Sequence, residues 1–92
     1  MRKIEYSSAF KKDYKQAKRS KYKSSIDQRF GIVLSTLISN TPLEPKYKDH
    51  VLIGNWLGYR ECHIYPDLLL IYSESGNSIK LARINTHSNI FK

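Results

Sequence analysis

The chain has 92 residues, of which 40% are hydrophobic and 26% are charged, and its net charge at pH 7 is +8. This length and composition predict one small folded domain over residues 1–92, and they exclude both two separate cores and a largely disordered chain. No apolar run approaches the ~18 residues that cross a membrane, and no signal-peptide pattern is present at the N-terminus, so we expect no contact with a membrane.

The positive charge is concentrated in the N-terminal third of the chain. Residues 1–30 hold ten Lys or Arg against three acidic residues, whereas residues 31–92 hold six against five. A basic segment of this kind is typical of proteins that bind a polyanion, which here means a nucleic acid or an acidic protein partner.

The same segment predicts a strand followed by two helices. Alternating apolar residues from Lys3 to Tyr6 indicate a short strand. Apolar positions spaced by four and three residues then indicate a helix with Ser7 or Ser8 as its N-cap. Ser25 is typical of the first residue of a capping box, and it predicts a second helix that ends near Asn40.

The remaining two thirds of the chain predict a sheet. Strand-like runs occur at residues 51–53, 56–64, 68–73 and 79–85. The run at residues 68–73 is apolar on both alternating faces, as expected of a central strand that is covered on both sides. The order of the elements predicts an α+β fold, in which the N-terminal strand and a helical hairpin pack on an antiparallel sheet of about four strands.

The single cysteine, Cys62, falls within one of these predicted strands. A strand position in a small domain favours burial in the core over a reactive thiol. Because a lone cysteine cannot form an internal disulfide, we also expect a protein of the reducing cytoplasm.

All three histidines of the chain fall at the ends of predicted strands, together with one aspartate. His50 precedes the first strand of the set, His63 and Asp67 flank the end of the next, and His87 follows the last. Titratable groups on strand ends along one edge of a sheet are typical of an acid–base site. The spacing lacks the paired ligands of common zinc sites, so we predict neither a metal nor another cofactor.

Two or three histidines in a basic protein favour metal-free cleavage of RNA. The 2′-hydroxyl attacks the adjacent phosphate, a base takes its proton, an acid protonates the departing 5′ oxygen, and a cation stabilises the phosphorane. Histidine suits both proton transfers because its pKa lies near neutral pH. Lys48, Arg60 and Arg83 are the candidate phosphate contacts, and Phe91 or Tyr65 is the candidate to stack on a base.

The run KDHVLIGNWLGYRECHIYPDLLLIY at residues 48–72, with INTHSNIF at residues 84–91, resembles the RelE/ParE superfamily of type II toxin–antitoxin toxins. The similarity is greatest to the YafQ branch, and it covers nearly the whole chain. It implies a single toxin domain with the RelE-like, microbial-RNase-like fold. The active site of that branch maps onto His50, His63, Asp67, His87 and Phe91, and Arg83 is similar in placement to its phosphate-contacting arginine.

The resemblance also implies an endoribonuclease that enters the ribosomal A site, cuts messenger RNA there and is neutralised by a cognate antitoxin. In this interpretation His87 is the general acid, His50 or Asp67 is the base, and His63 either orients the phosphate or holds a neighbour's proton. The basic helices would contact ribosomal RNA, an acidic antitoxin segment, or both.

The alternative is a ParE-like toxin that inhibits DNA gyrase by protein–protein contact without nuclease activity. The same fold serves both functions, so only the residues discriminate between them. A gyrase-binding protein needs no acid–base groups at its strand ends, and the histidine set therefore favours the nuclease.

Overall fold

The computed structural model describes residues 2–92, in which two long helices pack on one face of a five-stranded sheet. The strands are β1 (Lys3–Tyr6), β2 (His50–Val51), β3 (Arg60–Tyr65), β4 (Leu68–Ser75) and β5 (Ser78–Asn85). The helices are α1 (Ser8–Ala17), α2 (Ile26–Ile38) and the short α3 (His87–Ile90), and single 3-10 turns lie at Pro45–Tyr47 and Gly54–Trp56. No helix within residues 2–92 is long and apolar enough to cross a membrane.

The strands are ordered β1-β5-β4-β3-β2 across the sheet. Strands β2 to β5 pair antiparallel, and β1 pairs parallel to β5 at one edge. The β4–β5 hairpin closes through a two-residue turn, and Gly76 there has a positive φ of 58°, which suits a tight hairpin. Neither edge strand is full length, so parts of β5 and β3 have no strand beside them.

Helix α1 covers the open part of β5. Strand β1 pairs only with residues 78–81 of β5, and the chain then turns into α1 at Ser7. Ser7 Oγ donates a hydrogen bond to the carbonyl of Ala82 at 2.7 Å, and its oxygen caps α1 by accepting from Phe10 N at 2.9 Å. Asp13 accepts from the backbone N–H of Ile84 at 3.1 Å. Side chains of α1 therefore replace the missing strand.

Two apolar clusters cover the two faces of β4. The larger cluster lies under α1 and α2 and contains Phe10, Ile26, Phe30, Val33, Leu37, Cys62, Leu70, Tyr72, Leu81 and Ile84. The smaller cluster lies on the opposite face and contains Leu69, Ile71, Ala82 and Ile90, with Leu52, Trp56, Tyr59 and Phe91 packed against it. Burial of both faces confirms the central strand that the apolar run predicted, and each large side chain buried there stabilises the fold by about 1.5–3 kcal/mol.

The α+β architecture is confirmed, with corrections in detail. The sheet has five strands because β1 joins it and because β2, although only two residues long, pairs with β3. The strand predicted at residues 56–64 begins only at Arg60, since the chain forms a turn at Gly54–Trp56.

Two local expectations have different outcomes. The prediction of a capping box at Ser25 is wrong. The Ser25 side chain makes no cap hydrogen bond, and its Oγ instead lies 2.5 Å from the hydroxyl of Tyr65. The core position of Cys62 is confirmed, and burial raises the pKa of its thiol.

Candidate active site

Two histidines of the chain lie on either side of a buried glutamate. His50 on β2 is the cross-strand partner of Glu61 on β3, and His63 follows Glu61 by two residues, so strand alternation puts all three on one face of the sheet. Glu61 Oε2 lies 3.3 Å from His50 Nε2 and 3.5 Å from His63 Nε2. The Glu61 side chain is only 7% exposed, against 52% for His50 and 23% for His63.

The contacts of His50 indicate where its proton lies. Its Nδ1 is 2.7 Å from the carbonyl oxygen of Lys48, which can only accept, so Nδ1 is the donor. A neutral His50 would then direct the lone pair of Nε2 at the Glu61 carboxylate. The contact is a hydrogen bond only when a proton lies between them. We call His50, Glu61 and His63, which these two contacts join, the coupled group.

His87 forms a second group on the same face, at the end of β5. It begins α3, where Thr86 caps the helix by accepting from Asn89 N at 3.3 Å. The rings of His87 and Phe91 have their centroids 4.7 Å apart, and Phe91 in turn meets the edge of Trp56 at 6.3 Å. Aromatic packing therefore fixes Phe91, while His87 stays exposed.

The register of the sheet relates the two groups. His63 pairs with Leu69 on β4, and Leu69 pairs with Asn85 on β5, two residues before His87. Two strand spacings separate the backbones of His63 and Asn85 by about 10 Å. His63 and Asn85 thus flank the apolar Leu69 on this face of the sheet, and His87 follows Asn85 by two residues.

The structure does not bring Asp67 into contact with any histidine. The Asp67 carboxylate accepts hydrogen bonds from the hydroxyl of Tyr22 at 2.5 Å and from Lys21 Nζ at 3.0 Å. These bonds, the one from Tyr22 above all, hold the pKa of Asp67 below its ordinary value. Burial and the bond to Asp67 raise the pKa of Tyr22 to about 12. Asp67 therefore connects the sheet to the turn between α1 and α2, and its lowered pKa makes it a weak base.

Both arginines predicted to contact phosphate are bound to carboxylates. Arg83 donates to Asp13 through Nε at 2.6 Å and Nη2 at 3.2 Å. Arg60 donates to Asp49 at 2.9 and 3.3 Å, and the hydroxyl of Tyr72 also donates to Asp49 at 2.6 Å. These hydrogen bonds raise the pKa of both guanidinium groups. Neither arginine offers an unpaired charge, whereas Lys48 is exposed beside His50.

Comparisons with known proteins identify the family. A family model described as "Bacterial toxin of type II toxin-antitoxin system, YafQ" matches residues 2–92. The chain belongs to the YafQ toxin family. It is 40% identical over 91 residues to the mRNA interferase toxin YafQ of Escherichia coli K12, which covers 98% of this chain and 96% of that relative. The crystal structure of YafQ from E. coli BL21(DE3) is similar, with a TM-score of 0.89 at 38% identity and 100% of both chains covered. So is YafQ in an E. coli DinJ–YafQ complex, with a TM-score of 0.86 at 36% identity and again 100% of both chains covered.

Sequence reasoning about this YafQ-family toxin did not identify Glu61. Its position two residues before His63 was the available signal, because alternation puts the two side chains on one face. The pairing of Glu61 with His50 had no such local signal, because it depends on the register of the two-residue strand β2. Within residues 2–92 no group of three or more His, Cys, Asp or Glu side chains is arranged to hold a metal ion.

The sequence also did not single out two of the cations near His63. An open groove of about 530 Å³ lies between α2 and the Pro45–Tyr47 turn, and His63 lines one end of it. Arg29, Lys46 and Lys48 line it as well. The site of this toxin therefore combines imidazoles, one buried carboxylate and cations, which is a set suited to proton transfer at a phosphate.

Proposed function

We propose that this chain is a single-domain mRNA interferase that cuts messenger RNA in the ribosomal A site and thereby inhibits translation. The observation that carries the proposal is that His87 and the coupled group around Glu61 lie on one face of the sheet, on opposite sides of Leu69. The backbones of His63 and Asn85 are about 10 Å apart, which leaves room for a phosphodiester between a base and an acid. Membership in the YafQ family, together with the name of the E. coli relative, supports the activity.

The reaction needs one proton to leave the 2′ oxygen and another to reach the 5′ oxygen. The His50–Glu61–His63 group takes the first proton as O2′ bonds to phosphorus, because its buried carboxylate stabilises the imidazolium that forms. His87 gives the second proton to O5′ as the P–O5′ bond breaks. The products are a 2′,3′-cyclic phosphate and a 5′-hydroxyl, and no metal takes part in either transfer.

Charge and base contacts complete the site. Lys48 stabilises the negative charge on the phosphorane, since Arg60 and Arg83 are already neutralised by carboxylates. Phe91, held by Trp56, provides an aromatic surface beside His87 on which a base of the messenger stacks. Both ring nitrogens of His50 are engaged, Nδ1 by the Lys48 carbonyl and Nε2 by Glu61. The proton therefore enters the group at His63. Asp67 is not the base, because it accepts two hydrogen bonds from elsewhere.

The remaining surface is suited to two macromolecular partners in the cytoplasm. The basic side chains of α1 and the residues after it are exposed, namely Lys11, Lys12, Lys15, Lys18 and Arg19. Lys18 contacts Asp27 at 3.0 Å, and within residues 2–92 the other four have no ion-pair partner. We infer that this face docks on ribosomal RNA, and the DinJ complex of the E. coli relative supports a cognate antitoxin that binds the toxin.

The test is primer extension on a defined messenger, with and without programmed ribosomes. We expect the wild-type toxin to cut within A-site codons only when ribosomes are present, and His87→Ala to lose cleavage by at least about 100-fold because the acid is missing. Ser88→Ala, at the next exposed position of α3, is the matched control and should cut normally. Intact messenger with wild-type toxin that still arrests growth would reject the nuclease, and equal cutting of free messenger would reject the ribosome dependence.

A further inference from the structure

The groove beside His63 lies against an open edge of the sheet. Strand β2 pairs only with Arg60 and Glu61, so the rest of β3 has no strand on that side. The groove runs along this edge to α2 and to the 3-10 turn before His50. His63 lines the groove, so the groove reaches one histidine of the proposed active site.

Arg29 is held in a fixed position in this groove. Its Nη1 donates to the carbonyl of Ile64 at 3.2 Å, and its guanidinium lies 4.3 Å from the ring centroid of Tyr65. The side chain is exposed, and within residues 2–92 it forms no ion pair with a carboxylate. A guanidinium that is stacked and hydrogen-bonded on one side keeps its other donors for a ligand and loses little entropy on binding.

The other walls supply more positive charge and apolar surface. Lys48 is exposed. Lys46 lies 3.8 Å from Glu44, with both side chains about two-thirds exposed, so that ion pair is weak, and its Nζ lies 5.3 Å from the ring centroid of Tyr47. Ile32 is 50% exposed, and Tyr47 is half-buried beside it. No acidic side chain lines the groove.

We propose that this groove is a second RNA subsite, which holds the nucleotide next to the scissile phosphate. Arg29 and Lys46 bind the phosphate of that nucleotide, and its base packs against Ile32 and Tyr47. Single-stranded RNA is bound in just this way, by cations that follow the backbone and by side chains that accept a base without reading its sequence. The proposal rests on the proposed function, because it assumes that the strand continues from the histidines.

The test separates RNA binding from RNA cleavage. The probe is a single-stranded trinucleotide with 2′-O-methyl riboses, which has no 2′-hydroxyl to attack, and its binding is followed by NMR on the whole chain. Arg29→Ala with Lys46→Ala removes two charges from the groove, and Lys3→Ala with Lys80→Ala removes two from the far edge of the sheet. All four side chains are exposed, so both double variants should fold.

We expect the probe to shift amide signals at residues 28–32, 46–48 and 63–65. The groove variant should bind about tenfold more weakly than the far-edge variant at low salt, since each lost contact is a charge-assisted one. Its plot of log affinity against log salt concentration should also be shallower by about 0.7, because the two side chains neutralise one phosphate and each neutralised phosphate on a single strand contributes ~0.7. Arg29→Lys with Lys46 intact should recover only part of the binding, because lysine keeps the charge but not the stacked guanidinium.

Equal weakening in both double variants would overturn the subsite. It would also be overturned if a glutamate-rich peptide displaced the probe and bound more tightly, because the groove would then fit an acidic protein segment. Failure of the proposed function looks different. The probe would still bind in the groove with the expected salt dependence, while programmed ribosomes kept their messenger intact.

Discussion

The two sides of the sheet contain the same types of residue but use them differently. On the β5 side, Arg83 lies against the buried Asp13, which also accepts hydrogen bonds from Asn85 and from the backbone of Ile84. On the β3 side, the buried carboxylate is Glu61, and it faces two imidazoles instead of a guanidinium. A carboxylate paired with a permanent cation cannot exchange a proton at working pH, whereas one paired with histidine can. Asp13 is therefore part of the scaffold, whereas Glu61 is the buried acid that the proposed function assigns to proton transfer.

Replacement of Glu61 by glutamine tests the chemical side of this comparison. The amide keeps the size of the side chain but cannot stabilise an imidazolium, so we expect kcat to fall by about 100-fold or more. KM for programmed ribosomes should change little, because the docking surface is untouched. Single-turnover cleavage on A-site messenger measures both quantities.

Glu5→Gln is the matched control for that measurement, since Glu5 is an exposed glutamate on β1. It should cut like the wild type. If Glu61→Gln retained full kcat, the coupled group would have no catalytic role, and Glu61 would serve only to order the two histidines.

Replacement of Asp13 by asparagine tests the structural side. The change leaves the charge of Arg83 without its carboxylate and weakens the cap on the open edge of β5, so we expect a loss of about 2–3 kcal/mol in the free energy of unfolding. Urea denaturation followed by circular dichroism measures it.

Asp27→Asn offers the contrast within the same helical pair. Asp27 is exposed and pairs with Lys18 at the surface, so its loss should cost no more than about 1 kcal/mol. If the two variants lost equal stability, the Asp13–Arg83 pair would contribute no more than a surface ion pair. The proposed difference between a structural carboxylate on the β5 side and a chemical one on the β3 side would then not hold.

The sequence predicted the fold well because its strongest signals are local. The continuous apolar run at residues 68–73 and the N-cap before α1 each depend on neighbours in the chain. The parallel pairing of β1 with β5 was not predicted, because it joins Lys3 to Ser78 across most of the chain. Ser25 misled the prediction, since its pattern fits a cap while its hydroxyl contacts Tyr65 from a distant strand.

The candidate site was predicted less completely, because charge pairing is a long-range property. Sequence proximity to a histidine suggested that Arg60 and Arg83 contact phosphate, but each has a carboxylate partner 11 or 70 residues away along the chain. Arg29 lies 34 positions before His63, and no local pattern connects them. Residue type suggested the candidate groups for the chemistry, and only the tertiary contacts showed which candidate cations already have a carboxylate partner.

Asp67 lies in the turn between β3 and β4. The change in the pKa of its carboxyl group is the smallest effect expected among these tests. Tyr22→Phe removes the hydrogen bond that contributes most to the lowered pKa of Asp67, so that pKa should rise toward its ordinary value. In the wild type, a pKa that is lower in the folded protein gives stability that is fully present above the ordinary pKa of about 3.9 and is lost as pH falls through the folded value. The variant should lose less stability over that acidic range.

Carboxyl NMR titration reports the pKa of Asp67 directly. Tyr14→Phe, which removes a hydrogen bond to Asp27 instead, is the control. An unchanged Asp67 pKa in Tyr22→Phe would assign the shift to Lys21, and the link from the sheet to the helical turn would then be a surface ion pair of little weight.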